Sequence, residues 1–97
     1  MTLTHFILKE NLHYNPKTGF FTWIKRAQGR KIGDVAGNLN GVSGYIQIQI
    51  NGTQYLAHRL AWLYQTGVMP TNLIDHENGD PSDNWFSNLR EATQKQN

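Results

Sequence analysis

IDHENGDPSDNWFSNLREATQKQN, residues 74–97, is the stretch whose reading decides the fold. Ile74 is an apolar anchor and precedes Asp75-His76 as the end of a short strand would. Gly79, Asp80, Asp83 and Asn84 are turn-forming residues and predict a loop. Leu89 is the next apolar anchor. Thr93-Gln94-Lys95-Gln96 then matches a capping box, in which a Thr hydroxyl and a Gln amide satisfy each other's backbone donors at a helix start. The chain stops one residue later, at Asn97. A helix that ends about one turn after its cap is marginal in water, so the expectation is an N-terminal fragment of a longer protein.

Working back from residue 74, Gly44–Ile50 (GYIQIQI) alternates Tyr45, Gln47 and Gln49 against Ile46, Ile48 and Ile50, the period of a strand with one buried face. Asn51-Gly52 favours the two-residue turn that suits a hairpin, so Thr53-Gln54-Tyr55 should return antiparallel. From Leu56 the period changes. Leu56, Leu60 and Leu63, with Ala57, Ala61 and Tyr64 beside them, make a helical face that Gly67 terminates. Nearer the start, Asn15-Pro16-Lys17-Thr18-Gly19 is a turn between His13-Tyr14 and Phe20–Trp23, which predicts another hairpin. Leu3–Leu12 fits a short amphipathic helix opened by Thr2 or Thr4, its apolar positions being Leu3, Phe6, Ile7 and Leu12. The class is therefore α+β, with small amino-terminal β-hairpins and a helix leading into residues 74–97.

The 97 residues allow one modest core, so a single domain over 1–97 is expected. There is no cysteine, which excludes disulfides, thiol nucleophiles and Cys-rich zinc sites. A metal would have to be held by Asp, Glu, His or Asn. No signal pattern opens the chain and no apolar run approaches the roughly 20 residues of a membrane span, so a soluble, cytoplasmic protein is expected. The net charge is only +2, but its distribution is uneven. Asp75, Glu77, Asp80 and Asp83 fall close together, while elsewhere the Lys and Arg residues face only Glu10, Asp34 and Glu91. An acidic focus on a basic body suits metal-assisted phosphodiester chemistry, because a cation occupies the acids while Lys and Arg meet phosphates. On charge alone, a solvated acidic loop is the simpler account.

Asp75 and His76 narrow that choice. Phosphodiester hydrolysis needs a base for water and a cation for the charge on phosphate. Neutral His, with an ordinary pKa of roughly 6.5, suits the first, and a carboxylate suits the second, since Mg²⁺ prefers oxygen ligands. Neighbours on a strand point to opposite sides unless the strand end twists. Alone the dipeptide is common and carries little weight. A calcium loop of the EF-hand kind fails, since counting from Asp75 the sixth position is Asp80 rather than Gly and the twelfth is Phe86 rather than Glu. Asp80 and Asp83 are expected to shape the loop.

Three blocks, AHRLAWLYQTG (57–67), IDHENGDPSDN (74–84) and NLREATQKQN (88–97), together with YNPKTGFFTW (14–23) and GYIQIQINGTQY before the first of them, resemble the Cys-less HNH endonucleases of phages and mobile introns. That resemblance implies a ββα-metal motif over 74–97 and metal-dependent cleavage of double-stranded DNA to a 3′-hydroxyl and a 5′-phosphate. It implies that His76 activates water, that Asp75 and Asn97 bind the divalent metal, and that Asn88 ties the loop and helps orient the histidine. The last position is often His in that family; Asn offers only a carbonyl oxygen, which favours Mg²⁺ or Mn²⁺ over Zn²⁺. It also implies a bacterial host cell for a phage-encoded chain. A DNA-binding module without catalysis remains the alternative.

Other residues carry two readings each. His58 and Arg59 either meet DNA phosphate and brace the metal loop or hold their helix to the core, and Arg59 is taken as a DNA contact. Lys25, Arg26, Arg30 and Lys31 form either a phosphate-contacting loop or a solvated one. Trp23, Trp62 and Trp85 are expected to be structural rather than base-stacking. His5 and His13 receive no role.

Overall fold

In the computed structural model, which describes residues 2–27 and 29–92, the first element is helix α1 (His5–Asn11). Thr4 caps it, its hydroxyl accepting from the Ile7 amide at 3.1 Å. That start sets the phase of the helix and buries Leu8 rather than Phe6, which is 70% exposed. The expected apolar face is corrected accordingly: two residues are about 200° apart on a helix, so Phe6 and Leu8 cannot share a face.

Leu12 ends α1 in extended conformation and opens strand β1 (Leu12–Tyr14), antiparallel to β2 (Phe21–Trp23) with Tyr14 opposite Phe21. Leu12, Tyr14, Phe21 and Trp23 point inward. The turn between them is tied by the Asn15 side chain, which accepts from the Lys17 amide at 2.9 Å. A two-residue strand, β3 (Val35–Ala36), adds to β2, and after Gly37 a second, β4 (Asn38–Leu39), pairs with β5 (Ile46–Ile50). Both hairpins read from the sequence are thereby three-stranded sheets. Strands of two residues show no period, which is why the sequence gives no sign of them.

β5 turns at Asn51 and Gly52, at φ 50° and 85°, into β6 (Thr53–Leu56), the two positive angles that a twist-matched hairpin turn needs. Helix α2 (Ala57–Thr66) follows at once and stops at Gly67, at φ 83°. Its Ala57, Leu60, Ala61 and Leu63 share one core with Leu8 and Leu12, the hairpin aromatics, Ile48 and Ile50. Trp23 belongs to that core and Trp62 packs on Phe86, ring centroids 5.6 Å apart, the structural use expected of them. Among the described residues no helix is long and apolar enough to cross a membrane.

Strand β7 (Leu73–His76) pairs antiparallel with β8 (Leu89–Ala92), Asp75 opposite Arg90 and His76 opposite Leu89. The loop joining them ends in a 3-10 turn, Phe86–Asn88. These are the two strands of the expected ββα arrangement; the capped helix from Thr93, and Asn97, lie outside the described residues. The β7–β8 loop is seated on the first hairpin. The Tyr14 hydroxyl donates to the Asn84 carbonyl, and the Phe86 amide donates to the Pro16 carbonyl at 2.8 Å. Gly19, at φ 84°, lies so close that a Cβ there would stand 2.4 Å from the Asn84 carbonyl carbon and the Trp85 nitrogen. Both neighbours are backbone and cannot swing aside. Gly19→Ala should therefore lower stability by about 2 kcal/mol or more, combining a strained left-handed backbone with a clash; urea unfolding followed by tryptophan fluorescence measures it.

Candidate active site

The alternation of β7 decides where its side chains go: Ile74 and His76 are buried, Leu73 and Asp75 exposed. Asp75 and His76 thus leave opposite faces of the strand. Across the ladder Arg90 reaches Asp75, with Nη2 at 3.0 Å and Nε at 3.2 Å, both on Oδ2. Oδ1 takes neither bond. The two side chains are 60% and 49% exposed, so the pair is screened by water and contributes little to stability.

His76 is held from two sides. Its Nε2 lies 2.9 Å from the Oδ1 of Asn84, itself buried. An amide oxygen only accepts, so Nε2 is the donor in this contact and Nδ1 is not engaged by it. The ring of His58, the second residue of α2, meets the His76 ring edge to face with centroids 5.0 Å apart. Tyr45 packs on His58 in turn at 5.1 Å. Burial, followed by the charges of His76 and Arg59, pushes the His58 pKa down to about 4, so this second imidazole is neutral near pH 7.

Asn88 performs the loop-tying role. Its Oδ1 accepts from the Asn78 amide at 3.0 Å, and its Nδ2 donates to the Asn78 side chain and to the Asp83 carbonyl. Its carbonyl accepts from the Glu77 amide. None of these bonds reaches His76; the amide that does is Asn84. The acids behave as loop formers: Asp80 accepts from the amide and hydroxyl of Ser82, bonds that hold its carboxyl below its ordinary pKa, and Asp83 accepts from the Asn78 side chain.

The expected DNA-contacting residues are dispersed. Arg59 donates to the Pro70 carbonyl at 3.3 Å and lines a cleft of about 380 Å³ with Tyr45, His58 and Asp75. Arg30 sits over the Trp23 ring, its guanidinium carbon 3.4 Å from the ring centroid. Those two residues line a larger, polar cleft of about 570 Å³ with Asn38, Gln47 and Gln49. Lys25, Arg26 and Lys31 are exposed. Neither Asp75 nor His76 lines the larger cleft. Among the described residues no group of three or more His, Cys, Asp or Glu side chains could hold a metal. Asp75 offers one hard oxygen donor, suited to Mg²⁺ or Mn²⁺, and Asn97 lies outside the described residues.

Sequence reasoning treated Asn84 as a turn residue and left His58 between two roles. No spacing rule marks an amide eight residues beyond a histidine, across a loop, as that histidine's partner.

Residues 55–97 match the family model described as HNH endonuclease. The chain is also similar to a solved structure of the HNH homing endonuclease I-HmuI, described as binding and cleaving DNA, at 25% identity and a TM-score of 0.63 over 88% of this chain. It spans about half of that protein, 48%. No curated protein matches. The chain thus has the HNH-type endonuclease fold, with the family-model match confined to residues 55–97.

His58 carries a pH consequence. Its folded pKa, about 4, lies below its ordinary 6.5, so between these values the unfolded chain binds the proton that the folded one refuses. Stability attributable to His58 is present above about pH 6.5 and is lost as pH falls toward 4, on the order of 3 kcal/mol. Urea unfolding at a series of pH values should show that loss in the parent, and a smaller one in His58→Phe.

Proposed function

We propose that this chain is a metal-dependent HNH endonuclease that cleaves double-stranded DNA, with His76 as general base. The observation that carries the reading is the state of His76: its Nε2–H is committed to Asn84, which leaves the Nδ1 lone pair as the basic site, and it adjoins a carboxylate on the same strand. Residues 1–97 act as one unit in this reading, with 74–97 as the ββα-metal motif.

The chemistry follows from the parts. Nδ1 of His76 takes a proton from water as the water oxygen bonds to phosphorus, the bond from phosphorus to the 3′ oxygen breaks, and the departing oxygen takes a proton from solvent. The products are a 3′-hydroxyl and a 5′-phosphate. Asp75, through Oδ1, and Asn97 would hold Mg²⁺ or Mn²⁺, which when bound supplies positive charge to the phosphate oxygens. Asn88 keeps the loop between β7 and β8 in shape, with Asp75 on the exposed face of β7 and His76 on its buried face. Arg30, Lys25, Arg26 and Lys31, with Arg59, are assigned to the DNA backbone, where each phosphate contact adds affinity that salt removes. Arg30 is the best placed of them, because its contact with the Trp23 ring holds the guanidinium before DNA arrives.

A noncatalytic DNA-binding module is favoured by one observation, the occupation of Asp75 Oδ2 by Arg90. Supercoiled-plasmid nicking separates the two. Cleavage should require Mg²⁺ or Mn²⁺ and stop with chelator, and His76→Ala should slow it by about 10²–10⁴-fold, the usual worth of a general base. Asp75→Ala should abolish the metal dependence together with the activity. Cleavage undiminished in His76→Ala would overturn the mechanism. Separately, Arg30→Ala should weaken DNA binding uniformly across sequences and lower the slope of log affinity against log salt by about 0.9, read by fluorescence anisotropy.

A further inference from the structure

We propose that Asn84 is the positioning residue for His76, and that the amino-terminal hairpin, outside the matched region 55–97, holds Asn84 in place through Tyr14, Pro16 and Gly19. The proposal rests on the reading of His76 as the base.

An imidazole has a problem that a carboxylate lacks. Its second side-chain torsion is broad and roughly two-fold, and a half-turn of the ring exchanges the place of Nδ1 with that of a carbon. A base whose ring settles either way presents its lone pair only part of the time. Packing alone does not settle the choice, because carbon and nitrogen edges have nearly the same shape. The His58 ring, edge to face at 5.0 Å, restricts the space around His76 but distinguishes its two ring edges weakly. A hydrogen bond does distinguish them: the Asn84 Oδ1 at 2.9 Å from Nε2 is satisfied in one ring orientation only. Asn88 does not supply this bond, since its side chain is used on Asn78 and Asp83.

For the bond to orient the ring, Asn84 must itself be fixed, and its main chain is held from a different part of the sequence. The Tyr14 hydroxyl donates to its carbonyl. Burial raises the Tyr14 phenol above its ordinary pKa, so it remains a donor at any working pH. The Gly19 Cα abuts the Asn84–Trp85 peptide, and the Pro16 carbonyl takes the Phe86 amide two residues on. Asn84 is 3% exposed and Tyr14 1%, so water does not compete for either bond. The path runs from the hairpin turn to the Asn84 backbone, through its side chain, to His76.

The test has two readouts that fail independently. The first is the His76 ring by ¹⁵N-edited NMR on the full chain. In the parent, Nε2 should carry a proton that exchanges slowly with solvent and shows a nuclear Overhauser contact to the Asn84 side chain. Asn84→Ala should lose that slow exchange, and Asn84→Asp, which keeps an accepting oxygen, should recover it. The second is the nicking assay. Asn84→Ala should lower kcat about 10–100-fold, the usual cost of losing a partner that orients a functional side chain, with KM for DNA little altered. Asn84→Asp should rescue most of the loss, and Tyr14→Phe should fall between parent and Asn84→Ala. A parent whose His76 proton sits on Nδ1, or an Asn84→Ala chain that keeps the slowly exchanging proton or the parental kcat, overturns the proposal. The parental spectrum decides the matter even where Asn84→Ala does not fold. An inactive parent with the proton in place on Nε2 overturns instead the reading of His76 as base, and with it the catalytic purpose of Asn84.

Discussion

Burying an imidazole and two amides beneath one β-hairpin is tolerable only if each finds a partner, because an unmade hydrogen bond at such a depth costs about 1–3 kcal/mol. His76, Asn84 and Asn88 meet that demand together. Asn88 closes the loop on Asn78 and Asp83, Asn84 takes His76, and the Asn84 main chain takes the Tyr14 hydroxyl. These bonds run across the loop between β7 and β8, so a stretch rich in turn-forming residues is held by side chains in place of regular ladder bonds.

Most of the elements were legible because they follow short-range rules. Thr4 as a cap, Asn51-Gly52 as a tight turn, the Ile46–Ile50 alternation and the Gly67 stop all act within a few residues. What escaped depended on long-range pairing. β3 and β4 exist because β2 and β5 offer open edges, and their two residues each carry no pattern. Phe6 looked like a core residue because its neighbours are apolar, yet the cap sets a phase that turns it outward. Asp75 and His76 were identified as the chemical pair from residue type and company. Their separation onto opposite faces was implied by strand geometry, but Arg90 as the partner of Asp75 follows from a register that only the pairing of β7 with β8 defines.

The site also divides labour between charge and burial. Asp75 sits in solvent where a carboxylate is accessible, and its arginine neighbour is a screened contact rather than a buried one. His76 sits out of solvent where its orientation is defined. Two residues adjacent in sequence thus occupy opposite dielectric environments, an arrangement that a strand delivers at no further cost.

Gly19 gives the architecture a limit on its modularity. The motif matched at residues 55–97 has the look of a cassette, a contiguous run of sequence that recombination could move between hosts. Yet the peptide at Asn84–Trp85 is moulded against a glycine some 65 positions upstream, in a space that even a methyl group would fill. A protein that received residues 55–97 without a matching saddle would lack the surface that seats the Asn84–Trp85 peptide, so the smallest structurally complete unit extends back at least to the turn at residue 15.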